Sequence, residues 1–177
     1  MQEHPVTEGA SVSPDQLIDV YCAGAVDTTP WRVITDEVMG GVSTAALQQG
    51  ERLGSPCTCL HGRTRLENDG GFVQMKHPIT PDAALADYAG LFIELCGPAH
   101  EYEIRVKTSQ LDKPWQSFRH ALAVTPNWTR FIVPYAQLHA HRTEVTLKPE
   151  SILSVAVIAI GTAFDVEVCV RRFGFYR

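Results

Sequence analysis

The chain has 177 residues, of which 45% are hydrophobic, and a formal net charge of -5. This length and apolar content suffice for one sizeable core, so we expect a single soluble domain. The negative charge, without a dense cluster of lysine and arginine, argues against nucleic acid as a partner. The longest apolar run, around residues 155–160, is far shorter than the roughly 20 residues of a membrane-spanning helix. We therefore expect contact with membranes only through partners.

The N-terminal segment is polar and shows no hydrophobic periodicity. Residues 1–8 lack the basic and apolar regions of a signal peptide, and their acidic residues argue against a transit peptide, so we expect a cytoplasmic protein. We predict a flexible tail over residues 1–14 and one β-sandwich domain over residues 15–177.

Short β-like segments separated by turn residues then follow in chain order. They cover residues 31–35, 42–48, 57–66, 71–77, 90–95, 102–107, 115–124, 129–133, 152–160 and 166–175. Apolar residues alternate in 102–107, which predicts a strand with one buried face, whereas 152–160 is nearly all apolar and predicts a strand covered on both faces. Only 81–88 and 135–139 have helical character. The pattern predicts an all-β fold, a β-sandwich or jelly roll.

Two double-glycine loops flank the segment that reads as a β-hairpin. The candidate site residues on these loops and beside them are Trp31, Asp36, Met39, Gly40, Gly41, Ser43, Asn68, Gly70, Gly71 and Phe72. Glycine permits positive φ angles, and short polar side chains can hydrogen-bond to nearby main-chain groups. From the residues alone, these loops are either ordinary turns or shaped functional loops.

The order of the motifs is specific. A tryptophan is followed by D-x-V-M-G-G-x-S, by an apolar-x-Gly element at residues 60–62 and by L-E-N-D-G-G-F at residues 66–72. This series resembles the complex I intermediate-associated protein 30 family. The resemblance continues through residues 88–97, 102–106, 128–134 and 164–168, and it covers most of the chain from about Trp31 to the C-terminus.

The resemblance implies a jelly-roll β-sandwich of the galactose-binding type. It also implies a non-enzymatic, chaperone-like assembly factor that binds subunits or intermediates of respiratory complex I (NADH:ubiquinone oxidoreductase). The chain has no G-x-x-x-x-G-K-[ST] or G-x-G-x-x-G sequence, so we expect no cofactor. On this hypothesis the two loops form the functional surface, Trp31 packs beneath the first loop and Met39 is an exposed contact. The family often has an aromatic-x-Gly element and a second asparagine where this chain has Leu60-His61-Gly62 and Asp69, which indicates a divergent member.

Two other functions are open at this stage. A carbohydrate or small-ligand binding module of the same fold could use Trp31, Trp115 and Trp128 as an aromatic face. A hydrolase could use the loop carboxylates, but their positions equally fit turn capping.

The five cysteines form an odd set in a chain without an export signal, so free thiols are the expectation. Cys57, Cys59 and His61 would share one face of a strand, yet a closed zinc site requires four ligands, and no companion pair stands at familiar spacing. We therefore expect buried apolar thiols and no metal site. A bond between Cys57 and Cys59 is geometrically disfavoured.

Overall fold

The protein is described by a computed structural model over residues 12–25 and 30–177. Most of the predicted N-terminal tail, residues 1–14, lies outside these ranges. Within them the chain forms twelve strands and several short 3-10 turns. The strands are β1 Leu17–Cys22, β2 Arg32–Thr35, β3 Thr44–Arg52, β4 Ser55–Arg63, β5 Phe72–Pro78, β6 Gly90–Cys96, β7 His100–Thr108, β8 Ser117–Val124, β9 Thr129–Pro134, β10 His139–His141, β11 Ile152–Ile160 and β12 Asp165–Tyr176.

The all-β prediction is confirmed, with corrections in its details. The two segments with helical character form only short 3-10 turns, Ala83–Asp87 and Tyr135–Gln137. Strands β1 and β10 were not predicted. Strand β11 has the predicted bounds and is buried along most of its length, as its continuous apolar run indicated. None of the helices in the described ranges is long and apolar enough to cross a bilayer.

The strands form two antiparallel sheets. The first sheet has the order β3-β4-β12-β6-β9, with β1 paired to β12, and the second has the order β10-β8-β7-β11-β5-β2. Strand β12 is the longest and organises the first sheet: it pairs with β6 along one side and with β4 and then β1 along the other. The core lies between the sheets.

Alternation decides which side chains enter this core. On β7, Tyr102, Ile104 and Val106 are buried, while the residues between them are partly exposed, which confirms the predicted pattern. On β12, the fully buried Phe173 joins an aromatic cluster with Tyr21, Trp31 and His77.

The expectation of free thiols is wrong for two of the five cysteines, because Cys59 and Cys169 form a disulfide. The two residues face each other in the register of β4 and β12. They are 110 positions apart in the sequence, so no local pattern signals the pairing. Cys22, Cys57 and Cys96 are free.

The two double-glycine loops have equivalent positions in this architecture. The first runs from β2 in the second sheet to β3 in the first sheet, and the second runs from β4 in the first sheet to β5 in the second. Each loop therefore connects one sheet to the other. The antiparallel pairing of β2 with β5 and of β3 with β4 brings the two loops together at one end of the sandwich.

Candidate functional site

The side chain of Asp36 lies at the centre of the two loops and is fully buried. Its Oδ1 accepts a hydrogen bond from the backbone N–H of Ser43 at 2.9 Å. Its Oδ2 accepts three more, from the Ser43 hydroxyl and from the backbone N–H groups of Gly71 and Phe72. One carboxylate thus binds both loops.

This arrangement also joins the two sheets. Asp36 directly follows β2 and Phe72 begins β5, both in the second sheet, whereas Ser43 directly precedes β3 in the first sheet. Ser43 is itself fully buried, and its hydroxyl oxygen accepts a hydrogen bond from the backbone N–H of Arg65, just after β4. The Asp36–Ser43 pair therefore ties together segments next to four strands.

The electrostatics of Asp36 favour its ionised form. Burial alone would raise the pKa of its carboxyl, but the hydrogen bonds from Ser43, Gly71 and Phe72 outweigh desolvation and lower that pKa below its ordinary value. The carboxylate is charged at neutral pH, and its charge is satisfied by four donors.

The paired glycines have two different reasons to be glycine. Gly40 and Gly71 have positive φ angles of 83° and 129°, as the sequence suggested. Gly41 and Gly70 are required by close approach instead: a Cβ on Gly41 would overlap the Asp36 carboxyl group, and one on Gly70 would lie 2.6 Å from Asp36 Oδ2. In each pair, one glycine turns the chain and the other lets the backbone pass the carboxylate.

The tips of the loops are joined as well. The Asn68 side-chain amide donates to the carbonyl of Gly40 at 3.1 Å, and Asn68 itself has a positive φ of 59°. Asparagine is among the few residues that tolerate this conformation. The structure therefore brings nine of the ten predicted site residues into one unit.

Trp31 is the predicted residue that lies apart from this unit. It is 2% exposed and sits at the opposite end of β2 from Asp36, next to Tyr21, His77 and Phe173. The expectation that Trp31 packs beneath the first loop is therefore corrected: its ring belongs to the core.

Apolar side chains project into solvent from the joined loops. Their exposed fractions are 73% for Val38, 64% for Met39, 50% for Leu66 and 38% for Val42. We call these four residues the apolar loop patch. Single exposed apolar residues are ordinary, but a group on one rigid unit is typical of a protein-binding surface. Only Met39 was predicted from the sequence to be an exposed contact, because the other three residues lie in segments with the pattern of turns or strands.

The three tryptophans do not come together. Trp31 is in the core, and Trp128 is partly buried on the outer face of the first sheet, where its Nε1 donates to the Arg52 carbonyl. Trp115 is 55% exposed, between β7 and β8. The aromatic face that a carbohydrate-binding module could have built from all three is therefore not formed.

Comparisons with known proteins agree with this architecture. The sequence profile of the complex I intermediate-associated protein 30 (CIA30) family matches residues 22–163. The chain belongs to the CIA30 family. Among curated proteins, none matches the chain in sequence.

Solved structures resemble this CIA30 protein in fold. The family 11 carbohydrate-binding module of a cellulosomal cellulase of Clostridium thermocellum has a TM-score of 0.69 at 10% identity, over 94% of this chain and 96% of that one. The same kind of module in complex with a beta-1,3-1,4-mixed-linked tetrasaccharide also gives 0.69 at 10% identity, over 84% and 89%. A family 30 module from that organism gives 0.53 at 13% identity, over 76% and 90%. The predicted jelly-roll sandwich of the galactose-binding-like type is thereby confirmed, and these likenesses show the fold alone.

The two adjacent glycines of the first loop provide a matched test of the carboxylate-centred geometry. In Gly40→Ala the new Cβ meets nothing within 4 Å, so only the strain of positive φ remains, and the cost should be about 1 kcal/mol. In Gly41→Ala the new Cβ displaces the Asp36 carboxylate, and we expect a loss of about 2–4 kcal/mol. Urea unfolding of both variants measures the difference. Equal losses would contradict the assignment of Gly41 to close approach.

The lowered pKa of Asp36 predicts a pH-dependent contribution to stability. Because the folded-state pKa lies below the unfolded value of about 3.9, the contribution is complete above that value and is lost as pH falls through the folded pKa. At neutral pH, Asp36→Asn should lose about 3 kcal/mol, since an amide presents N–H groups to donors. The difference in unfolding free energy between Asp36→Asn and wild type should shrink below about pH 4.

Asp69→Asn is the control for that experiment, because Asp69 is an exposed carboxylate on the second loop and asparagine tolerates its positive φ of 57°. Its unfolding free energy should stay close to wild type at every pH. A difference between wild type and Asp36→Asn that does not change with pH would show that ionisation of Asp36 is not what stabilises the loops.

Proposed function

We propose that this CIA30 protein is a non-enzymatic assembly factor that binds a subunit or intermediate of respiratory complex I through the apolar loop patch. Membership of the family supports the complex I partner. The observation that supports this site is the exposure of Val38 and Met39 on a loop that buried hydrogen bonds hold in one shape.

The geometry fits binding better than catalysis. A general base or nucleophile must have a free oxygen for its substrate. Both oxygens of Asp36 are engaged by groups of the chain itself, and the residue is fully buried. The central carboxylate of the site is therefore structural, and the surface that it supports is apolar.

A fixed loop also suits recognition of a protein surface. Binding costs free energy whenever a flexible segment must be ordered, so a loop that is already held in shape loses less on association. Met39 adds an unbranched, polarisable side chain that adapts to different apolar partners. Both features favour a chaperone-like role.

The alternative, a carbohydrate-binding module, is supported by the fold alone. Sugar sites commonly use aromatic faces, and among the described tryptophans only Trp115 offers a largely exposed ring. Trp115 lies between β7 and β8 and not on the joined loops. The loop patch itself is aliphatic, which suits a protein partner.

The test changes the apolar loop patch while leaving the fold intact. The double variant Val38→Asp, Met39→Asp places two charges on side chains that are 73% and 64% exposed, so folding should be unchanged. Affinity for complex I subunits should fall by about tenfold or more, as for a binding hot spot. Tagged chain and gently solubilised membranes of the native host are combined, and bound subunits are quantified by mass spectrometry.

Leu53→Asp is the matched control, because Leu53 is 69% exposed in the turn at the far end of the β3–β4 hairpin. It should retain wild-type binding. If the wild-type chain enriches no complex I subunit, the proposed function is wrong. If it enriches them and the double variant does so equally, the function stands and the loop patch is wrong.

A further inference from the structure

Four of the five cysteines come together on the outer face of the first sheet. Cys57 and Cys59 are on β4, Cys169 is on β12 and Cys96 is on β6, and these three strands are adjacent. In the register, Cys169 faces Cys59 on one side and Cys96 on the other. We call these residues the cysteine cluster. They form a packed group of their own, separate from the main core, and each is at most 3% exposed.

Three of the four cysteines in the cluster place their sulfurs close enough to share a metal ion. The Sγ atoms of Cys57, Cys59 and Cys169 all lie within 4.8 Å of one another, and those of Cys57 and Cys59 are 3.6 Å apart. In a tetrahedral zinc–thiolate site with Zn–S bonds of about 2.3 Å, ligand sulfurs are separated by about 3.8 Å. Among the described residues, this is the one group of three or more potential ligands that meets such a distance limit. Cys96 and His61 lie outside this group. Cys96 is brought beside it by its register with Cys169 and packs in the same buried cluster.

The fold supplies the further ligands that are missing near Cys57 and Cys59 in the sequence. Cys57-Thr-Cys59 provides two ligands from one strand face, and a closed structural zinc site needs two more. Cys169 stands 110 positions beyond Cys59, and Cys96 lies on a third strand, so neither forms a familiar zinc motif with the pair. Strand pairing brings them to the same face.

The surroundings shield the cluster from water. Trp128 packs against it, with the guanidinium of Arg171 4.7 Å from the centre of the indole ring. Burial raises the pKa of the Cys57 and Cys96 thiols, and the charge of Arg52 opposes that rise at both. A bound cation would stabilise thiolates in this enclosed space.

We propose that Cys57, Cys59, Cys96 and Cys169 together bind one Zn²⁺ ion when the chain is reduced. Thiolates are soft ligands, and a group of four in a buried site selects zinc over the hard cations that prefer oxygen. The site would add a structural crosslink between β4, β12 and β6. It lies on the outer face of the first sheet and is independent of the loop patch.

The Cys59–Cys169 disulfide and the zinc site exclude each other. A dithiol reductant supplies two electrons and two protons to the disulfide and becomes a disulfide itself. The chain then holds four thiols in the cluster, and Zn²⁺ replaces one proton on each, with release of four protons.

Cobalt provides the probe, because Co²⁺ occupies thiolate sites of zinc and reports them by colour. The full chain is reduced with a phosphine, shown to contain five titratable thiols, and titrated anaerobically with Co²⁺. We expect one equivalent to produce a sulfur-to-cobalt charge-transfer band with strong tetrahedral visible absorption, and one equivalent of Zn²⁺ to abolish both. Thermal melts should show a higher Tm with Zn²⁺, since a ligand that binds only the folded state stabilises it.

Single-cysteine variants test whether the cysteine cluster binds the metal ion. Cys57→Ser leaves the Cys59–Cys169 pair intact and should lose the tetrahedral spectrum and at least about tenfold in zinc affinity. Cys96→Ser tests the fourth ligand in the same way. Cys22→Ser is the matched control, because Cys22 is exposed and lies outside the cluster. The Co²⁺ absorption spectrum of Cys22→Ser and the number of metal ions that it binds should equal those of wild type.

Three results would overturn the proposal. The first is a fully reduced, folded chain that takes up no stoichiometric Co²⁺ or Zn²⁺. The second is a tetrahedral thiolate spectrum that survives Cys57→Ser unchanged, and the third is one that is lost equally in Cys22→Ser.

Discussion

The buried carboxylate of Asp36 is the constraint on which the two joined loops at one end of the sandwich depend. An ionised carboxylate in a protein interior costs several kcal/mol unless hydrogen bonds replace its water. Here all four donors come from Ser43, Gly71 and Phe72. The position of Ser43 and the two glycines that approach the carboxylate closely follow from that single requirement. Because the donors belong to segments of both sheets, the same interaction also closes one end of the sandwich.

This construction separates the groups that fix the loops from the apolar groups that are exposed to solvent. The hydrogen-bonding groups point inward and bind one another, whereas Val38, Met39, Val42 and Leu66 remain largely or partly exposed. Because a buried polar network holds the two loops together, their apolar side chains stay exposed to solvent.

The sequence predicted those parts of the fold whose signal is local. Period-two alternation indicated β7, and the continuous apolar run indicated β11, because both patterns depend on neighbouring residues alone. Strand β1 was missed because its exposure pattern is irregular, with only Tyr21 buried. The segments with helical character became 3-10 turns, since each is too short to complete stable α-helical turns.

Features that depend on distant residues could not be predicted from spacing. The loops were recognised as special, but Asp36 meets Gly71 from 35 positions away and Cys59 meets Cys169 from 110, and only strand pairing determines such contacts. Trp31 was misplaced for a similar reason. Its proximity to the first loop in sequence says nothing about the direction of its side chain, which the core aromatic cluster determines.

Native-state hydrogen exchange at the backbone amides of Ser43, Gly71 and Phe72 tests the central claim most directly. If these N–H groups are bound to a buried carboxylate that joins both sheets, they should exchange as slowly as core amides such as that of Val157 on β11, through global unfolding. Exchange at the rate of exposed loop amides would contradict the account, because the loops would then open independently of the sandwich.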